Sequence, residues 1–170
     1  LEVRIDELGN IFGKRQGLNN DLAPVMSGSH IDSQPKGGRF DGILGVMGPL
    51  EAIRTLNENN IQTNRPITIV AWTNEEGTRF APAMMCSGVW ANALDINWIY
   101  DRTDINGLRF EDELIRIGYK GKTRAKKSDV HAYYEYHIEQ GPVLEKQGIT
   151  IGAPKGIVCL HWYDIYLEGE

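Results

Sequence analysis

An α/β fold, with a mixed and mostly parallel sheet flanked by helices, is the architecture this sequence predicts, and three patterns carry the expectation. Ile67, Ile69, Val70, Ala71 and Trp72 form a continuous apolar run, as in a parallel strand buried on both faces. Ile43, Val46, Met47, Leu50, Ile53 and Leu56 recur at helical spacing ahead of it. Residues 132–140 alternate, with Tyr134, Tyr136 and Ile138 on one face and Tyr133, Glu135, His137 and Glu139 on the other. Strands and helices in alternation, with a buried central strand, build a sheet covered by helices.

The elements follow in order. Val3 and Ile5 alternate with polar residues, Gly9-Asn10 reads as a hairpin turn and Ile11-Phe12 resumes an apolar strand, so an antiparallel ribbon opens the chain. A short buried strand over residues 23–26 ends at Gly28-Ser29-His30, where polar side chains take over. The helix over residues 42–58 contains Pro49, whose ring crowds the Gly45 carbonyl and predicts a kink rather than a break. The apolar strand ends at Thr73-Asn74-Glu75-Glu76-Gly77, and helical patterns cover residues 84–94 and 111–117. Gly141-Pro142 starts a short helix, and residues 149–167 read as strand-rich.

Composition narrows the function. With 170 residues, 41% hydrophobic and 24% charged, the chain can build one real core. A net charge of −5 gives no reason to expect a nucleic acid or an anionic membrane as partner, which leaves a small or polar ligand. Two cysteines are too few for a disulfide scaffold, no apolar run approaches the ~18 residues of a membrane helix, and no signal-peptide pattern opens the chain. A cytoplasmic location is the expectation.

Three predicted strand ends carry metal-ligand chemistry. His30 and Asp32 lie two residues apart, on one side of an extended chain, so the carboxylate can hold the imidazole by its second nitrogen. Asp41 sits in the flexible Gly37-Gly38-Arg39-Phe40-Asp41-Gly42 loop, able to swing toward His30. Glu75 and Glu76 are adjacent carboxylates that project differently, one suited to a metal and the other to a bound water. His137 lies on the polar face of its strand. Singly, a histidine on a strand is most simply packed or solvated, and a Glu-Glu pair is most simply an acidic turn. Together, His30, Asp41, Glu76 and His137 make a mixed nitrogen and oxygen set suited to zinc, manganese or cobalt.

Rival constellations are weaker. Ser29 or Ser33 beside His30 and Asp32 is too close in sequence for triad geometry, and no Gly-x-Ser-x-Gly elbow exists. Cys159 and His161 share a strand face without an orienting third group. Lys120, Lys122, Arg124, Lys126 and Lys127 read as a solvated basic run, and Trp72, Trp90, Trp98 and Trp162 as core or domain contacts.

Gly28-Ser29-His30-Ile31-Asp32-Ser33, then Gly37-Gly38-Arg39-Phe40-Asp41-Gly42, then Asn74-Glu75-Glu76-Gly77-Thr78-Arg79-Phe80, then His137-Ile138-Glu139-Gln140-Gly141-Pro142 resembles, in that order, the hydantoinase/carbamoylase branch of the dimetal M20 peptidase superfamily. That branch includes N-carbamoyl-L-amino-acid hydrolases, β-ureidopropionases and allantoate amidohydrolases. The resemblance implies two divalent ions, zinc first, with manganese, cobalt or nickel as alternatives. It implies that Asp41 bridges them, that His30 and His137 complete one, and that Glu76 binds the other. Glu75 is then the general base, Asp32 orients His30, and Gln140 touches substrate. A histidine at position 137, often a carboxylate in the wider superfamily, points to the amidohydrolases rather than the peptidases.

The implied reaction is hydrolysis of an N-carbamoyl amino acid, a small ureido compound, to amino acid, ammonia and carbon dioxide. Allantoate hydrolysis, peptidase or deacylase activity, and an inactive metal-binding fragment are the alternatives. The resemblance further implies a homodimer, with residues 1–160 as the N-terminal part of the catalytic domain and residues 161–170 opening an inserted dimerisation domain. The family's later histidine ligand and substrate-carboxylate residues fall outside these motifs, so the chain alone is expected to be inactive.

Overall fold

Residues on either side of the Gly9 turn pair as expected: β1 (Glu2–Ile5) runs antiparallel to β2 (Ile11–Arg15), and Gly9 adopts φ 82°. The computed structural model describes residues 1–158, 163 and 165–169. Strand β3 (Val25–His30) extends farther than the apolar text, through Gly28 and Ser29 to His30. Helix α1 (Ile43–Glu58) passes through Pro49 without interruption and leads to β4 (Ile67–Trp72).

The sheet order is β1-β2-β4-β3-β5, where β5 is Ala132–Tyr134. Strand β2 pairs with β4 antiparallel, while β3 lies parallel to both β4 and β5. The sheet is therefore mixed, with its parallel half grouped around β3 and the opening hairpin extending it on the far side of β4. Pairing register places Phe12, Met26, Val70 and Trp72 on one face, where they form a buried cluster joined by Trp90 and Val130. Helix α1 packs against β3 and β4.

Three short helices, α2 (Met85–Trp90), α3 (Ile96–Tyr100) and α4 (Phe110–Arg116), bury a second cluster. Leu8, Phe80, Met85, Cys86, Val89, Ile99, Phe110 and Leu114 compose it. Helix α2 is shorter than the helical text over residues 84–94. Asp95 caps α3 by accepting a bond from the Trp98 N–H, a start signal in a stretch that reads as loop.

The alternating text over residues 132–140 yields only a three-residue strand, because β5 pairs with β3 along one edge and the ladder ends at Tyr134. His137 thus follows the strand rather than sitting on it. The chain divides into two units, Leu1–Ile138 and Glu139–Glu170. In the second, Glu139 accepts bonds from the Val143 and Leu144 N–H groups at the start of α5 (Val143–Gln147). No strand occurs among the described residues of 149–167, contrary to the alternating text. Cys159, His161 and Trp162 lie outside the described residues, as does part of the expected start of a dimerisation domain over 161–170.

Candidate metal centre

Parallel strands place their carboxyl ends side by side, and the candidate residues gather there. His30 is the last residue of β3, Glu75 and Glu76 follow the end of β4, and His137 follows β5. Asp41 enters from the loop ahead of α1, where Gly42 turns the chain at φ 67°. A Cβ at Gly42 would lie 2.4 Å from the His30 ring, so only glycine lets this loop pass over the imidazole.

One ligand atom from each of His30, Asp41 and His137 lies within 4.8 Å of the others. His137 Nε2 is 3.1 Å and His30 Nε2 3.8 Å from Asp41 Oδ1, and the two rings are 5.9 Å apart. His30 and Asp41 are buried. Each imidazole uses Nδ1 on a backbone carbonyl, His30 on Asp32 and His137 on Ile138, both at 2.8 Å. A carbonyl oxygen only accepts, so Nδ1 carries the proton and, in the neutral ring, Nε2 presents a lone pair. The two Nε2 atoms thus face one carboxylate oxygen of Asp41. A mixed imidazole and carboxylate set with its outer nitrogens already held fits a divalent ion.

The Asp32 carboxylate does not hold the His30 imidazole by hydrogen bonding. It stands 3.7 Å from Nδ1 and instead accepts from the Glu75 and Glu76 N–H groups, at 3.2 and 3.1 Å. Strand β3 ends at His30; the Asp32 carbonyl takes the imidazole, and the carboxylate fixes the glutamate turn. Asn74 begins that turn at φ 52°, a conformation asparagine tolerates, and its side chain donates to the Phe80 carbonyl at 2.8 Å. On the other side, buried Asn10 accepts from the Thr73 N–H at 2.9 Å.

The two glutamates part as their adjacency suggests. Glu75 Oε2 lies 3.5 Å from His30 Nε2. Burial holds the Glu75 carboxyl above its ordinary range; Glu76, Asp32 and Glu135 add to this, and His30 counters it. Glu76 Oε2 accepts from Gln34 at 2.9 Å, while Glu76 Oε1 is buried without a hydrogen-bond partner among the described residues. Glu76 stays outside the three-residue cluster. Gln140 belongs to the second unit, at φ 54°. Glu75 also lines a cavity of about 740 Å³ bordered by Met26, Trp72, Met84, Trp90 and Tyr133.

Glu135 and Ser29 matter here in a way that composition does not signal. Ser29 Oγ donates to Glu135 Oε1 at 2.6 Å, and Tyr133 OH donates to Glu135 Oε2 at 2.8 Å. Only the two-residue spacing of Glu135 from His137 hinted at a shared face.

Residues 26–166 match peptidase family M20/M25/M40. The chain belongs to this family. Within M20 it matches the hydantoinase/carbamoylase branch. It is 47% identical, over its whole length, to an N-carbamoyl-L-amino-acid amidohydrolase of Rhizobium meliloti, of which it covers 41%. A ureidoglycolate hydrolase of Oryza sativa subsp. japonica is 37% identical over the whole chain, which covers 37% of it. Among solved structures, a hydantoinase/carbamoylase family amidase from Burkholderia multivorans superposes with a TM-score of 0.84 at 52% identity, over 86% of this chain and 36% of that one. The chain thus spans about two fifths of the length of the curated relatives it matches. No helix among the described residues is long and apolar enough to cross a membrane.

Proposed function

We propose that the protein is a metal-dependent amidohydrolase that cleaves the carbamoyl C–N bond of an N-carbamoyl amino acid, yielding the amino acid, ammonia and carbon dioxide. The observation that carries this reading is the convergence of His30, Asp41 and His137 with Glu75 beside them, in a chain similar over its full length to a protein of that name. His30 and His137 would hold one divalent ion, Glu76 a second, and Asp41 both. Zinc is the first choice, with manganese, cobalt or nickel as alternatives. Such ions supply Lewis acidity toward a carbonyl oxygen and acidify water.

The chain's own residues do the rest. Glu75 accepts a proton from the water that attacks the carbamoyl carbon and returns it to the nitrogen that leaves when the C–N bond breaks. Its raised affinity for a proton suits both halves of that exchange. Asp32, through the Glu75 and Glu76 N–H groups, keeps the two carboxylates aimed apart. The neighbouring cavity is of a size for a small ligand, and Gln140 is assigned to substrate contact. Residues 1–160 are assigned to the catalytic domain and 161–170 to the start of a dimerisation domain, in a homodimeric cytoplasmic enzyme.

The name of the rice relative supports a second substrate, ureidoglycolate, for the same machinery. Both readings are tested by stripping the full-length enzyme that contains this chain with a chelator, restoring each ion in turn and following ammonia release from N-carbamoyl amino acids, ureidoglycolate and allantoate. Metal-restored turnover of carbamoyl amino acids is expected. Turnover confined to peptides or N-acyl amino acids, or indifferent to metal, would overturn the proposal.

A further inference from the structure

We infer that Glu135 is a positioning residue that latches the His137 segment to β3 and so sets the distance between the two imidazoles. The inference rests on the metal-centre reading above. In the parallel ladder Val25 pairs with Ala132, Met26 with Tyr133 and Ser27 with Tyr134. Carried forward at the same offset, this register sets His137 opposite His30. The ladder ends at Tyr134, however, so no strand pairing holds His137 in that place.

Side chains of β3 and β4 take over where the ladder stops. Ser27 Oγ donates to the Tyr134 carbonyl at 2.9 Å. Beyond it, both oxygens of Glu135 are engaged: Oε1 by Ser29 Oγ at 2.6 Å and Oε2 by Tyr133 OH at 2.8 Å. Tyr133 OH in turn accepts from Trp72 Nε1 at 3.1 Å. One carboxylate therefore joins β3, β4 and β5 through charge-assisted bonds. Its anchor on β3, fully buried Ser29, immediately precedes His30. A Cβ at Gly45 would meet Ser29 Cβ at 2.6 Å and the Tyr136 carbonyl at 2.7 Å, so α1 closes directly over the latched segment. Glu135 touches neither imidazole; it acts through the chain that carries His137.

The hydrogen-bond inventory predicts how substitutions differ. Glutamine can accept from Ser29 and donate its amide to Tyr133 OH, whose own proton then turns to the Gly28 carbonyl, 3.1 Å away. Alanine severs both ties.

Crystal structures of the metal-free protein and Co²⁺ titrations followed by visible absorption test the latch. E135A should widen the 5.9 Å ring separation and weaken Co²⁺ binding by about 10–100-fold, while E135Q keeps both near wild type. S27A, which removes a neighbouring tie of the same strands, should lower Tm and leave Co²⁺ affinity unchanged. An E135A protein with unaltered ring separation and affinity overturns the latch, as does an S27A protein that loses as much affinity as E135A. If the wild type takes up no Co²⁺, the metal-centre reading fails, and the ring separation in E135A still decides the latch.

Discussion

His30 is where the local demands of this molecule meet. Its ring is buried, its Nδ1 is committed to the Asp32 carbonyl, and its Nε2 faces Asp41 and Glu75. Gly42 crosses the ring so closely that an added methyl has no room, and the ring, pinned by its hydrogen bond, cannot yield. Gly42→Ala, at φ 67° and ψ −50°, should therefore lower stability by at least the ~1–3 kcal/mol of a residue held in a sparsely populated backbone region and weaken metal binding, as read by thermal melts and metal titration. Glu75 presents the complementary case, a group assigned to chemistry rather than to architecture. In the full-length enzyme, Glu75→Gln should cut turnover by about 10²–10⁴-fold and leave metal content near wild type. Loss of the metal along with activity would instead mark Glu75 as a ligand.

At the scale of elements, the motif that carries Glu75 also carries a structural clamp. Arg79 bonds Asp104 at 2.9 Å and Glu113 of α4 at 2.8 Å, tying the loop after β4 to the helical layer. The Arg116 guanidinium, with Arg79 beside it, holds the Glu113 carboxyl down to about 2. Asp104 is lowered by the Leu108 N–H and then by Arg79. Both groups favour ionisation in the folded state. Their stabilisation is thus complete above the ordinary carboxylate range and is lost as the pH falls below it, for Glu113 toward about 2. Arg79→Met should shift the midpoint of acid unfolding, followed by circular dichroism, to higher pH. An unchanged midpoint would show that the clamp carries no acid stability.

For the molecule as a whole, the candidate centre joins segments far apart in sequence: the end of β3, the entry to α1 and the run beyond β5. A ligand that binds only this assembled arrangement stabilises the fold by mass action, about 2.7 kcal/mol at a hundredfold excess over its Kd. Added Mn²⁺ or Zn²⁺ should raise the Tm of the wild type and not that of His137→Ala. Equal shifts in the two proteins would place the ion elsewhere.

Much of this was legible in the sequence because it depends on local rules. Alternation marked the opening hairpin, helical spacing marked α1, an unbroken apolar run marked β4, and ordered motifs named His30, Asp41, Glu75, Glu76 and His137. What those rules do not contain is where one strand stops pairing with another. Residues 132–140 alternate like a single strand, yet β5 ends at Tyr134, because pairing is decided by what β3 offers across the sheet. The same dependence on distant partners decided that the Asp32 carbonyl, not its carboxylate, takes the imidazole, and that Glu135 bonds to Ser29. By itself the sequence determined which side chains are candidates for the chemistry, since residue type and spacing are properties of the chain. Only the tertiary structure decided how they are held, since a hydrogen bond goes to whichever partner the fold brings within reach.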